Sequence, residues 1–159
     1  MSLITPVALS TLTTMQVGGV PKTLNRCESL TELYEAAKAA WLGEESFHIL
    51  AGGSNTVFAD DVSELNVILV ANIGKEIVFE DNDLVRVRVQ AGESWDEFVA
   101  WCVDNGYAGV EALSGIPGSV GATPVQNVGG YGQEVSQVIT QIEFLDAETF
   151  EVEIKPASF

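Results

Sequence analysis

Apolar residues occur along the chain in short blocks, whose spacing changes between the period of a strand and that of a helix. Residues 21–27 predict a short strand, and Ser29 with Glu32 forms a capping box that begins a helix. The predicted core-facing residues of this helix are Leu30, Leu33, Tyr34, Ala37 and Trp41. Two more apolar strands, at 47–51 and 66–70, complete a β-α-β unit with a parallel sheet.

The pattern changes after residue 75. An apolar segment at 77–79 and the alternating valines of 85–89 predict an antiparallel hairpin with one solvent-facing side, which carries Arg86 and Arg88. A second capping box, Ser94 with Glu97, begins another helix.

Two further strands are predicted near 138–145 and 150–154. The predicted fold class is therefore α+β with two subdomains, 1–72 and 73–159. The first is a small parallel β-α-β unit, and it packs against a mostly antiparallel sheet with helices.

Composition narrows the classes of function. Of 159 residues, 23 are Asp or Glu and only 7 are Lys or Arg, which gives a net charge of -16 and argues against binding to nucleic acid. No apolar segment has the length of a membrane span, and the first residues lack the features of a secretory signal. We therefore expect a cytoplasmic protein that does not bind membranes.

The cysteine and histidine residues, which are often used for metal binding and nucleophilic catalysis, show no arrangement that predicts either function. Cys27 and Cys102 are far apart and are expected to be buried, and His48, the only histidine, lies within an apolar strand. No cluster of Cys and His offers zinc ligands, so no metal site is predicted.

Two glycine-rich clusters carry the candidate chemistry, at 51–56 directly after a strand and at 114–134. Such loops leave backbone N–H groups free to approach phosphate oxygens. No Lys or Arg occurs between Lys38 and Lys75 or between Arg88 and Lys155. An anion held here would depend on N–H dipoles and on the hydroxyls of Ser54, Thr56, Ser114 and Ser119.

The alternative is that these glycines only form turns, and for the shorter cluster both interpretations stay open. The longer cluster exceeds the usual length of a simple connection, which favours function. Neither cluster has the spacing of a Rossmann glycine motif or of a P-loop.

Five segments taken together resemble a known family: TMQVGG at 14–19, ILAGGSN at 49–55, IPGSVG at 116–121, PVQN at 124–127 and GYGQE at 130–134. The chain is similar to the N-terminal FAD-binding region of the UDP-N-acetylenolpyruvoylglucosamine reductases. These are flavin enzymes of bacterial peptidoglycan precursor synthesis. The similarity covers nearly the whole chain.

The resemblance implies a two-subdomain FAD-binding fold of the vanillyl-alcohol-oxidase (PCMH) type, with FAD between the subdomains. In the family, NADPH reduces the flavin, which reduces UDP-N-acetylglucosamine enolpyruvate to UDP-N-acetylmuramate. Tyr131 is implied to lie next to the substrate. The residues implied to bind FAD are Ala51, Gly52, Gly53, Ser54, Asn55, Thr56, Ser114, Gly115, Ile116, Pro117, Gly118, Val120, Gly121, Ala122, Gln126, Asn127 and Gly129.

The family's catalytic arginine, serine and glutamate are expected beyond Phe159, together with the substrate-binding domain. We therefore expect a region that binds FAD, is inactive alone and self-associates through the face near 129–134. Two alternatives remain: an acidic binding module that keeps the fold without the cofactor, and a related flavin oxidase, against which the PVQN segment argues.

Overall fold

The computed structural model describes residues 2–157, and its backbone divides into two compact units, Met1–Asn72 and Ile73–Phe159. The elements of the first unit are β1 (Ser2–Ile4), β2 (Thr23–Cys27), α1 (Leu30–Leu42), β3 (Phe47–Leu50) and β4 (Asn66–Val70). The strand order is β1-β2-β4-β3, with β2 and β3 parallel to β4 and β1 antiparallel to β2. The predicted parallel β-α-β unit is confirmed, and β1 is an edge strand that the pattern did not predict.

The sheet of the first unit is covered on both faces, which explains why β4, its apolar inner strand, is buried over its three central residues. On one face Leu24, Leu50 and Val67 pack with Leu9 and Phe58. On the other face, Cys27, Ile68 and Phe47 pack with residues of α1.

Helix α1 begins at the predicted cap, where Ser29 Oγ accepts a hydrogen bond from the Glu32 N–H at 3.2 Å. The Glu32 carboxylate accepts from the Glu28 N–H at 3.0 Å, one residue before the cap. The helix contacts the sheet through Leu33, Ala36, Ala37 and Ala40. Leu30 was predicted to face the core, but it is exposed, because the small alanines allow the helix to approach the sheet along a neighbouring stripe.

The elements of the second unit are β5 (Lys75–Glu80), β6 (Val85–Val89), α2 (Trp95–Asp104), β7 (Gly129–Gly130), β8 (Gln133–Glu134), β9 (Gln141–Leu145) and β10 (Val152–Pro156). The strands form three antiparallel pairs, β5 with β6, β7 with β8 and β9 with β10. The predicted hairpin is confirmed, with Arg86 and Arg88 exposed on β6. Strand β5 is exposed along its whole length.

The predicted strands near 138–145 and 150–154 begin later than expected, at Gln141 and Val152. The first starts late because Val135–Gln137 forms a 3-10 turn, at whose N-terminus Glu134 and Gln137 form a capping box.

The core of the second unit lies under α2, which begins at the predicted cap Ser94. Trp95, Val99 and Cys102 of the helix pack with Val110, Leu113 and Val135. The Trp95 indole also donates a hydrogen bond to the Leu113 backbone oxygen at 3.0 Å, which fixes the glycine-rich segment that follows. No helix within residues 2–157 is both long and apolar enough to cross a membrane.

Candidate cofactor-binding loops

The first glycine cluster, 51–56, directly follows β3 and therefore lies at the carboxyl edge of the parallel strands. In open parallel sheets this edge is the usual place for ligands. Gly53 has a φ of +64°, and a Cβ on this residue would lie 2.1 Å from the backbone oxygen of Leu12. Only glycine fits here, for both conformation and space.

The amides of this loop are available to a ligand. Within the described part of the chain, the backbone N–H groups of Gly52, Gly53, Ser54 and Thr56 donate no hydrogen bond to protein. The side-chain hydroxyls of Ser54 and Thr56 donate none either. Several such donors in one turn form an anion-binding concavity.

The TMQVGG segment supports this loop from behind. The Thr14 N–H donates to the Gly53 oxygen at 3.0 Å, and the Gly19 N–H donates to the Ala59 oxygen at 3.1 Å. A Cβ on Gly19 would lie 1.8 Å from the Asp60 oxygen, so this glycine permits direct packing of two backbones. The TMQVGG segment therefore has a structural role, which the sequence alone did not indicate.

The second cluster is held by the segment that leads into α2. The Trp95 N–H donates to the Gly118 oxygen at 3.1 Å, and the Val120 N–H donates to the Glu93 oxygen at 2.9 Å. A Cβ on Gly121 would lie 2.6 Å from the Cβ of Ala91. This part of the loop is consequently fixed by backbone contacts on both sides.

Asp96 occupies the start of the second cluster. Its Oδ1 accepts a hydrogen bond from the Gly115 N–H at 2.6 Å and lies 3.5 Å from the Ser114 hydroxyl. The sequence placed Ser114 among the hydroxyls available to an anion, whereas in the structure a carboxylate already uses this group and would repel phosphate.

The middle of the second cluster keeps its donors. Across residues 2–157, no protein acceptor takes a hydrogen bond from the N–H groups of Ile116, Gly118 or Ser119. Ser119 is 3% exposed, and its Oγ has no hydrogen-bond partner. Both clusters therefore contain groups of donors that protein atoms leave unused.

Most of the remaining residues predicted to bind FAD, including Ala122, lie within a 3-10 turn, Val120–Gln126. The turn ends at Asn127, which has a φ of +48°. Asn127 Nδ2 donates to Glu134 at 2.9 Å, and its Oδ1 accepts from the Ser136 N–H at 3.1 Å. The Asn127 side chain thus connects residues of its own unit.

Tyr131 lies in the two-residue loop between β7 and β8, with a φ of +53° and 97% of its surface exposed. The base of this hairpin is fixed by Gln133, whose side chain accepts from the Ala112 N–H at 2.9 Å and donates to Glu111 at 3.0 Å. A left-handed aromatic residue is uncommon and is retained where the surroundings impose it.

Glu93 is a second ionisable residue, besides Asp96, that is built into the supports of the second loop. Its carboxylate accepts from Lys75 Nζ at 2.5 Å and from the Gly74 N–H at 2.8 Å. The hydrogen bond from Lys75 is the main reason that the pKa of Glu93 is lowered.

The thiol of Cys102 and the imidazole of His48 lie in surroundings that disfavour their charged forms. Burial raises the pKa of the Cys102 thiol to about 11 and lowers the pKa of His48, which contacts Phe58 edge to face at 5.1 Å between ring centres. Among the described residues no group of three His, Cys, Asp or Glu could hold a metal ion.

Comparison with known proteins shows the family to which the chain belongs. A family model described as FAD binding domain matches residues 21–153. The chain is 49% identical over 147 residues to the UDP-N-acetylenolpyruvoylglucosamine reductase of Leifsonia xyli subsp. xyli, covering 92% of this chain and 39% of that protein.

Solved structures agree. The structure of the UDP-N-acetylenolpyruvylglucosamine reductase from Thermus caldophilus matches with a TM-score of 0.71 and 26% identity, covering 99% of this chain and 53% of that one. An alkyldihydroxyacetonephosphate synthase matches with a TM-score of 0.63 and 14% identity, covering 91% and 28%, which shows the shared fold alone. The α+β FAD-binding fold predicted from the sequence is confirmed, as are the resemblance to the reductases and the cofactor, FAD.

Proposed function

Because this chain belongs to the FAD-binding domain family, we propose that it is the FAD-binding portion of a reductase that converts UDP-N-acetylglucosamine enolpyruvate to UDP-N-acetylmuramate with NADPH. The observation that carries the proposal is the pair of glycine loops whose amides are unused by protein, in a chain 49% identical to such a reductase.

The donor set of the two loops fits FAD. The diphosphate is the anionic part of this cofactor, and both loops offer N–H groups and hydroxyls to it without a cationic side chain. We assign 51–56 and 116–119 as its main contacts. Ser114 and Gly115 contribute by shaping the loop, because Asp96 already uses their donors.

The residues of this chain would hold and orient FAD, which would supply the chemistry for hydride transfer between NADPH and the enolpyruvyl double bond. Val120, Gly121, Ala122, Gln126, Asn127 and Gly129 would hold the ring system in place. Tyr131, exposed at a hairpin tip with a fixed base, is proposed to face the substrate.

The chain spans 39% of the length of the Leifsonia xyli relative. The reductase reaction, with NADPH and the enolpyruvyl sugar nucleotide as partners, is therefore proposed for the longer protein. For this region alone we propose FAD binding without turnover. We also propose the cytoplasm as its location.

Self-association of this region is proposed through the face around 129–134. Tyr131, at the tip of the hairpin, is 97% exposed, and Val125 is 85% exposed. Exposed apolar side chains of this size favour association. Sedimentation at increasing concentration tests it, and a constant monomer mass would contradict it.

Titration of the chain with FAD tests the proposed function. We expect quenching of flavin fluorescence with a saturable curve, and binding to riboflavin at least about tenfold weaker, since riboflavin lacks the diphosphate that the loops contact. A folded chain that leaves FAD fluorescence unchanged at all concentrations would overturn the proposal and favour a binding module without cofactor.

A further inference from the structure

Strands β6 and β10 are both edge strands in the described part of the chain. Strand β6 pairs only with β5, and β10 pairs only with β9. No other segment of residues 2–157 forms backbone hydrogen bonds with 85–89 or 152–156. Each strand therefore keeps one side of its backbone open, and such a side accepts a further strand.

The two strands carry opposite charges in the same alternating pattern. Residues 85–89 read VRVRV, and residues 151–154 read EVEI. Alternate residues of a strand share a face and lie about 6.8 Å apart. In each segment the two charges therefore lie on one face, at matching spacing, and the branched apolar residues lie on the other.

The arginines of β6 have no carboxylate partner within residues 2–157. Glu76 lies opposite Arg88 in the ladder but forms no ion pair with it. The Arg86 guanidinium lies over the ring of Phe79, 5.4 Å from its centre, which limits its motion. Ion pairs with glutamates occupy Lys22, Arg26, Lys75 and Lys155 instead. In a chain with a net charge of -16, this arginine face is complementary to an acidic strand.

The segment 151–154 has the side chains that such a face requires. Val152 is 44% exposed and Ile154 is 55% exposed. Glu151 is exposed as well. Glu153 contacts Lys155 at 2.9 Å, but this pair lies at the surface and contributes little, so an arginine competes with the lysine for the carboxylate.

Other pairings of the same edges are unfavourable. Two copies of β6 paired with each other would place arginine opposite arginine, and two copies of β10 would place glutamate opposite glutamate. The ladder of β5 is interrupted by a register shift between Ile77 and Phe79. The pairing of β6 with β10 brings opposite charges together.

We propose that β6 of one copy of this chain pairs antiparallel with β10 of a second copy. In this register Arg86 lies opposite Glu153, and Arg88 lies opposite Glu151. Val87 then meets Val152 on the other face. The contact consists of residues other than those around 129–134, and it requires neither FAD nor the reductase reaction.

The test uses two charge-reversed forms of the full 159-residue chain. The first carries Arg86→Glu with Arg88→Glu, and the second carries Glu151→Arg with Glu153→Arg. Each form alone places like charges in the contact, so sedimentation equilibrium should show self-association at least about tenfold weaker than that of the unchanged chain. An equimolar mixture of the two forms places opposite charges together again and should recover association.

The second form also separates this contact from general repulsion between acidic chains. It is less negative than the unchanged chain by four units, so net charge alone would strengthen its association, whereas the proposed contact predicts weakening. All four substitutions in one chain restore the net charge of -16 and should restore association. Thermal unfolding of each form checks that it is folded.

Recovery in the mixture supports the pairing even where one form is less stable. Association of either form at the level of the unchanged chain, or a mixture that does not recover, would place the contact elsewhere and overturn the proposal. So would an unchanged chain that is monomeric at all concentrations, which would leave the arginine face to an acidic strand of another protein. Val125→Ser in both forms should not alter recovery, and its loss would assign association to the face around 129–134.

Discussion

Glu93 and Lys75 form an ion pair at 2.5 Å between the start of β5 and the segment that precedes α2. The backbone oxygen of the same glutamate accepts the N–H of Val120. One residue therefore connects the hairpin of the second unit to its glycine loop.

Glu93→Gln should lower the free energy of unfolding by about 2 kcal/mol, because it removes the charge that accepts the hydrogen bond of Lys75, and the Glu93 side chain is itself buried. Urea unfolding of the variant measures this. Glu35→Gln, an exposed position on α1, is the control and should change stability by less than about 0.5 kcal/mol. Equal stability of both variants would contradict the role given to Glu93.

Two glycines with positive φ should respond differently to alanine. Gly53→Ala should cost more than about 3 kcal/mol, since it combines a strained φ with a Cβ at 2.1 Å from the Leu12 oxygen. Gly115→Ala should cost only about 1 kcal/mol, because its Cβ would meet no atom within 4 Å. Thermal unfolding of the two variants compares them, and similar losses would show that packing at Gly53 is unimportant.

Stability should depend on the protonation of His48 at mildly acidic pH. Burial lowers its pKa below 6.5, so the unfolded chain binds the proton more readily than the folded one. Stability is then complete above about pH 6.5 and falls as the pH drops toward the lower folded pKa. No other histidine is present.

His48→Phe, which keeps a ring against Phe58, should reduce the change in unfolding free energy between pH 7 and about pH 5.5. An identical pH dependence in the variant would assign the effect to other groups.

Tyr131→Asn should raise the free energy of unfolding by about 0.5 kcal/mol. It places Asn-Gly in a two-residue hairpin loop where both residues have positive φ, which Asn-Gly adopts readily. Tyr131→Ala is the control for loss of the ring. Destabilisation by both substitutions would mean that the ring contributes to folding.

The affinity for FAD should respond to salt in the direction opposite to that of a cation-based site. The loops hold no Lys or Arg, and the chain carries a net charge of -16, which repels the diphosphate. Screening between about 20 and about 300 mM salt should leave binding unchanged or tighten it. Weakening by tenfold would indicate a contact with a cationic side chain.

Local signals in the sequence predicted much of the fold. Both helices begin at the serines expected from the capping boxes, because an N-cap depends on residues within one turn. Strand β4 occupies the predicted range, because a short, mostly apolar segment is typical of an inner parallel strand.

Contacts between distant residues could not be predicted. Strand β1 has three residues and is defined by its pairing with β2, which leaves no periodic pattern. The use of Gly115 by Asp96 and the burial of Ser119 likewise depend on how the chain packs. The sequence thus selected the two glycine loops as candidates, but it did not distinguish the hydroxyls within them.

Gly53 packs directly on the backbone of Leu12, and Gly19 packs directly on the backbone of Asp60. The first loop is therefore packed together with the residues that cover the sheet and does not form a separate flap. A molecule that immobilises this loop would therefore slow amide hydrogen exchange beyond its own contacts, in the strands beneath it as well. Binding at the loop would then be detectable as slower amide exchange in β3 and β4, although the ligand is not proposed to contact these strands.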